Sequence, residues 1–199
     1  NNPTPADPNA YGVTVNGSIV TVKNLPADTV IGIDPNAGPY GAGIYSYFNL
    51  STNSKVSASD STSTNWDLAF AGTTIRVNCG TSGPGTGGGF VFNGTFDALT
   101  SVPVDSTFRT DNYPVSYAIP KGSGKGWYTY DGPNNLITAT PGKVLVIRTA
   151  TGKYAKVEIL NYYKGGKTPA VNSSFKNKVL ESRYYTFRYT YQPDGSMIF

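Results

Sequence analysis

The sequence predicts an all-β protein, mostly of antiparallel strands, and three observations predict it. Apolar and polar residues alternate at period two in several separate stretches, the spacing of a half-buried strand. Turn-forming pairs, among them Asn16-Gly17, Pro141-Gly142 and Thr151-Gly152, fall between those stretches. The composition favours short strands and turns over helices, with 15 Tyr, 23 Gly and 14 Pro in 199 residues.

Taken in order, residues 1–10 carry three prolines and no apolar period, which predicts an extended, poorly ordered linker. Residues 13–15 and 18–25 flank Asn16-Gly17 and predict a hairpin, and a strand is expected over 28–33, ending at Asp34-Pro35-Asn36. Residues 41–50 alternate through Ile44, Tyr45, Ser46, Tyr47 and Phe48, with 55–57 as a pairing partner, and the polar run 57–64 predicts a surface loop.

The stretch 65–92 is the most informative. Trp66, Leu68 and Phe70 alternate with Asp67 and Ala69, predicting a half-buried strand, and Ile75, Val77 and Cys79 mark a second. A glycine-dense loop over 80–89 follows, whose glycines permit positive φ, and residues 90–92 restart a strand. Beyond it, 95–104 offers a short turn of helix and 105–125 is irregular. Residues 127–130 form an aromatic strand, 136–140 a short one, and 143–149 with 153–163 a second clear hairpin. Residues 164–178 are polar and loop-like, and 184–191 make the last long strand. With no internal repeat, residues 11–199 are expected to form a single domain with at most one short helix.

Composition removes several function classes. The chain contains no His, so Ser-His-Asp and Cys-His catalysis, imidazole zinc sites and the commonest haem ligand are all unavailable. Its 12 acidic residues are dispersed without a telling pair, which argues against a glycosidase and against an enzyme generally. The net charge of +4 comes from scattered lysines, not the clustered face of a nucleic-acid binder. No apolar run is long enough to span a membrane. No signal peptide is visible, so the chain reads as a mature or trimmed product. The single Cys79 leaves no intramolecular disulfide, and its phase with Ile75 and Val77 predicts a core position. Gly83 to Gly88 formally satisfy G-x-G-x-x-G, but lead into a strand with no helix to hold a phosphate.

Asn65-Trp66-Asp67, the run from Ile75 to Gly80, Ser82-Gly83 with the following glycines, Gly126-Trp127, Lys143 to Arg148 with Ala155-Lys156-Val157, and Thr186 to Tyr191 together resemble the HmuY family, haem-binding surface lipoproteins (hemophores) of Gram-negative bacteria. The resemblance covers roughly residues 45–191. It implies a single HmuY-like β domain with long projecting loops, a lipid tether preceding residue 11, and a cell-surface, outer-membrane or periplasmic location. It also implies haem capture for iron acquisition, with an outer-membrane receptor as partner. Asp67 sits in the family pattern as a structural residue.

The family clamps haem between two axial side chains on projecting β fingers, His in the best characterised members and Met in some relatives. One matching place is Tyr130-Asp131-Gly132 and the other lies within 108–120, which looks shortened; neither holds His or Met. The only Met, Met197, lies three residues from the C-terminus. The expected ligand-binding residues are therefore Tyr113, Tyr117, Trp127, Tyr128, Tyr130 and Asp131, with Tyr113, Tyr130 and Met197 as metal-ligand candidates. Four outcomes stay open: a Tyr phenolate on ferric haem, haem held by stacking alone, another flat or hydrophobic ligand, or a lost pocket. For each aromatic the competing expectation is plain core packing. No cofactor is expected to be needed for folding. The alternative function, from a different class, is a surface lipoprotein that binds protein or glycan through Tyr-rich loops without haem.

Overall fold

A computed structural model describes residues 7–36 and 38–199. Fourteen strands are named in chain order: β1 (Gly12–Asn16), β2 (Ile19–Pro26), β3 (Ile31–Asp34), β4 (Gly38–Gly41), β5 (Ser46–Asn49), β6 (Ser54–Val56), β7 (Leu68–Ala71), β8 (Thr74–Val77), β9 (Gly88–Asn93), β10 (Tyr128–Asp131), β11 (Leu136–Ala139), β12 (Lys143–Arg148), β13 (Tyr154–Tyr163) and β14 (Ser182–Gln192). One α-helix, α1 (Phe175–Glu181), and two short 3-10 turns complete the described elements. Every strand pairing is antiparallel.

The strands form a six-stranded sheet ordered β1-β2-β14-β13-β12-β9, a four-stranded sheet ordered β6-β5-β7-β8, and two isolated hairpins, β3-β4 and β10-β11. The two larger sheets face each other across an aromatic seam. Phe70 lies 5.3 Å from Phe187 and 4.9 Å from Tyr185, and Phe48 lies 5.5 Å from Phe187. Offset and edge-on rings at these separations add to the burial of the rings themselves. The hydroxyls of the seam are also used: Tyr185 donates to the Gly72 carbonyl at 2.9 Å and Tyr189 to the Leu50 carbonyl at 3.1 Å.

The opposite face of the six-stranded sheet is covered too. Phe96, Leu99 and Val102 pack on Val144 and Val146, and buried Lys156 donates from Nζ to the Phe96 and Leu99 carbonyls, both at 2.8 Å. Burial on both faces explains the unbroken Val-Leu-Val-Ile run of β12.

The hairpins around Asn16-Gly17 and Thr151-Gly152 form where expected, and so does the long closing strand. Several local expectations are corrected. The strand expected over 28–33 begins only at Ile31, because Asp28 sits at φ 65°. Its carboxylate gathers the Gly43 and Ile44 amides and the Arg183 guanidinium. The alternation over 41–50 divides between the end of β4 and β5. β7 is buried at all four residues, not half-buried. Ala69 pairs with Tyr47 on one side and Arg76 on the other, and those larger neighbours flank the small side chain.

Residues 95–104 hold a turn, with Leu99 N donating to Thr95 O, but no helix. The helix lies instead at Phe175–Glu181, starting within the expected 164–178 loop and running three residues past it, and the Ser174 hydroxyl caps the Asn177 amide. Much of the linker expected over 1–10 lies outside the described residues. Of the remainder, the Pro8 and Ala10 carbonyls accept from Asn24 Nδ2.

Candidate functional site

The irregular segment 105–125 is shaped by one buried carboxylate. Asp111 Oδ2 accepts from the Val77 amide at 3.1 Å and Oδ1 from the Ala118 amide at 2.7 Å, so the segment is stapled to the end of β8. The Asp111 amide points at Cys79 Sγ, 3.3 Å away, and its carbonyl accepts from the Thr81 amide at 3.0 Å. Thr81 Oγ1 then accepts from the Tyr113 amide at 2.7 Å. Burial raises the Asp111 carboxyl above its usual range, against the lowering effect of those amide bonds. At the other end Arg109 and Gly89 exchange both backbone hydrogen bonds, fixing the segment to β9.

Between these anchors the chain turns back through residues 112–116, closed by the Asn112 and Ser116 backbones, and presents Tyr113, Pro114 and Val115 outward. The result is a groove of about 470 Å³ lined by Arg109, Tyr113, Pro114, Val115, Ser116, Tyr117, Pro120 and Lys121. A second depression of about 250 Å³, lined in part by Phe90, Lys125 and Lys143, shares Arg109 and Pro120 with it. The Tyr113 and Tyr117 rings are 6.1 Å apart at 55°. Tyr117 is buried whereas Tyr113 is 55% exposed and Val115 80%.

The charge around this groove is one-sided. Arg109, Lys121, Lys125 and Lys143 line the two depressions, and none of the ion pairs among the described residues involves them. Lys121 Nζ lies 5.3 Å from the Tyr117 ring. Behind Tyr113 the Arg76 guanidinium is held between the Tyr45 ring at 4.1 Å and the Tyr113 ring at 5.1 Å, with no hydrogen-bond partner at Nε. The exposed Tyr113 ring beside unpaired cations suits a flat, apolar ligand carrying negative charge.

Of the residues expected from sequence, the structure brings Tyr113 and Tyr117 together and places the others elsewhere. Trp127 is 2% exposed, packs 5.1 Å from Tyr185 and donates to the Thr73 carbonyl at 3.0 Å, so it is a core residue and no ligand platform. Tyr128 is half-buried against it. The Tyr130 hydroxyl donates to Asn135 Oδ1 at 3.0 Å and lines a separate cavity. Asp131 accepts from Asn134 N and Nδ2, closing the β10-β11 hairpin. The cavities lined by residues 105–120 are not lined by Tyr130, and Ser123 Oγ and the Gly124 amide bond the β10 backbone instead. Met197 lines neither cavity; its carbonyl accepts from the Val102 amide. Sequence reasoning missed Arg109, Val115 and the Tyr45–Arg76 stack. The only local signal was the pair of prolines, Pro114 and Pro120, framing two tyrosines.

Among the described residues no group of three or more Cys, Asp or Glu is placed to hold a metal ion, and no helix is long and apolar enough to cross a membrane. The groove offers one exposed oxygen donor, the Tyr113 phenol, beside aromatic and cationic surface, and these fit the periphery of a propionate-bearing porphyrin.

No curated protein matches the chain. The fold is shared with a protein from Bacteroides fragilis NCTC 9343 described as a lipoprotein, at 17% identity and TM-score 0.56, covering 96% of this chain and 100% of the other. It is also shared with a protein described as an HmuY-like haem-binding protein from Bacteroides vulgatus ATCC 8482, at 15% identity and TM-score 0.54, covering 90% and 96%. The sequence pattern of the HmuY protein family matches residues 44–176. With that pattern spanning the greater part of its length, the chain belongs to the HmuY family.

Proposed function

We propose that the protein is a ligand-capturing surface or periplasmic lipoprotein, a binding protein and not an enzyme, that takes haem or a related tetrapyrrole in the Tyr113–Tyr117 groove. The observation that carries this reading is the coincidence of two tyrosine rings with four cations that have no carboxylate partner among the described residues. Family membership and the haem-binding description of the Bacteroides vulgatus neighbour point the same way. Residues 11–199 act as one domain in this reading, since both larger sheets and the β10-β11 hairpin feed one apolar cluster.

In place of the family's His or Met ligands, the Tyr113 phenol would hold the iron of a bound ferric haem, with Tyr117 beside it and Arg109, Lys121, Lys125 and Lys143 available to the propionates. Tyr130 lines another cavity, so this reading assigns it no part in holding the iron. An outer-membrane receptor would take the ligand onward.

Haemin titration followed at the Soret band is the test. A stoichiometric band that shifts in Tyr113→Phe, with affinity lowered roughly tenfold or more, and is unchanged in Tyr130→Phe supports the reading. A featureless titration overturns it. The second reading would then apply, a surface lipoprotein binding protein or glycan without haem. It is favoured by exposed Val30, Ile33, Tyr40 and Ile44 around the β3-β4 hairpin.

A further inference from the structure

The cavity that Tyr130 lines is built from parts unlike those of the Tyr113 groove. It measures about 450 Å³ and its walls include Tyr130 and Ile137 from the β10-β11 hairpin, Pro39 from β4, Tyr163 from the end of β13, Arg183 from β14, and Phe175, Lys178 and Val179 from α1. On α1 these three positions share one face, because side chains three and four apart line up on a helix.

Two polar features set its chemistry. Lys178 is 5% exposed, and its Nζ donates to the Asn134 carbonyl at 2.7 Å and the Val171 carbonyl at 2.6 Å. Those are neutral acceptors. None of the ion pairs among the described residues involves Lys178. An ammonium has three N–H groups, so one remains, together with an uncompensated positive charge. The nearby Arg183, by contrast, is paired with Asp28 at 3.3 Å. The Tyr163 hydroxyl accepts from the Ile137 amide at 2.9 Å and keeps its own proton to donate. The rest of the lining is mixed, with Ile137, Phe175 and Val179 beside the polar Thr73, Asn135 and Ser182, and Phe175 stands 41% exposed.

We propose that this cavity binds a small amphipathic carboxylate, its charged group held by Lys178 and Tyr163 and its aromatic or short alkyl body against Ile137, Phe175 and Val179. A buried cation is costly without a counter-charge, and a bound carboxylate supplies one while the apolar body covers Phe175. The volume falls within the range of small-molecule sites. The site is separate from the groove, and the inference does not depend on haem binding.

The probe is 4-phenylbutyrate, with neutral 4-phenylbutanamide as control, titrated calorimetrically into the whole protein. Saturable one-to-one binding of the acid, with the amide roughly tenfold weaker or worse, is the expected result. Lys178→Met lowers affinity for the acid at least as much as removing the ligand's charge does. Phe175→Ala, a partly exposed position, lowers it several-fold even if Lys178→Met does not fold. Tyr113→Phe leaves it unchanged. Absence of binding at millimolar probe, equal binding of acid and amide, wild-type affinity in Phe175→Ala, or displacement by haemin would each overturn the proposal.

Discussion

Asp67 and Asp111 do at single residues what a longer chain would do with extra secondary structure. Asp67 is buried and accepts from the Leu50 amide at 2.8 Å and the Ala150 amide at 3.0 Å, tying the four-stranded sheet to the turn between β12 and β13. Burial raises its carboxyl above the ordinary range, against the pull of the two amides. Cys79, beside Asp111, is the residue whose titration is most readily tested. Burial pushes its thiol from 9.0 up to about 11, with the Asp111 amide pulling the other way. A raised folded pKa means the folded state holds the proton more tightly. The stabilisation is therefore complete below about pH 9 and is lost as pH rises towards 11. Its full size is about 2–3 kcal/mol at 1.36 kcal/mol per pH unit. Urea unfolding measured across this window should show Cys79→Ala declining less steeply than the parent. Buried Tyr185, Tyr162 and Tyr189, whose hydroxyls are also raised by burial, contribute the same slope to both proteins. Parallel profiles would show that the thiol is not shielded.

Among the elements, the glycine-dense loop over 80–89 uses its glycines more for close approach than for left-handed backbone. Glycine permits positive φ, yet within the loop only Gly80 has it, at 55°. The others are needed for close approach. A side chain on Gly83 would fall against Asn78 and Trp66, one on Gly85 against the Asn78 carbonyl and Ala150, and one on Gly87 against the carbonyls of Asn78 and Arg148. Gly80 combines both demands, since a Cβ there would fall on the Asp111 carbonyl oxygen. Gly80→Ala should destabilise the protein by about 2 kcal/mol or more, the left-handed penalty plus displacement of Asp111. Because Thr81 positions Tyr113, haemin affinity should fall with it. Gly124→Ala is the control. It has φ +76° with nothing within 4 Å of the new Cβ, so a urea melt should register only the backbone term of about 1–2 kcal/mol. Equal losses in the two variants would argue against the Gly80–Asp111 contact. The helix α1 escaped notice for a related reason. Seven residues give little periodicity, and its polar face resembles a loop until Phe175, Lys178 and Val179 are seen to close a cavity.

At the scale of the whole molecule, a modest excess of positive charge becomes directional. The net charge is only +4, but Arg109, Lys121, Lys125 and Lys143 come from parts of the chain that the antiparallel pairing of β9 with β12, and the bridge from Gly89 to Arg109, bring side by side. Attraction of exposed cations for a dianionic ligand is screened by salt, whose screening length shrinks from about 30 Å at 0.01 M to about 3 Å at 1 M. Haemin affinity should fall roughly tenfold or more across that range, and Lys121→Glu should flatten the dependence. Affinity independent of salt would place the ligand away from these side chains.

Short-range information was legible in the sequence alone: the strand periods, the Asn16-Gly17 and Thr151-Gly152 turns, the buried phase of Cys79 and the absence of any imidazole. Each depends on neighbours a few residues apart. Tertiary structure alone decided which strands are covered on both faces, that Trp127 belongs to the core, and that Tyr113 and Tyr130 occupy different cavities. Those outcomes depend on contacts between residues far apart in the chain, such as Trp127 with Thr73 and Lys178 with Asn134. A cavity is the space left where distant elements meet, and local sequence spacing does not encode it.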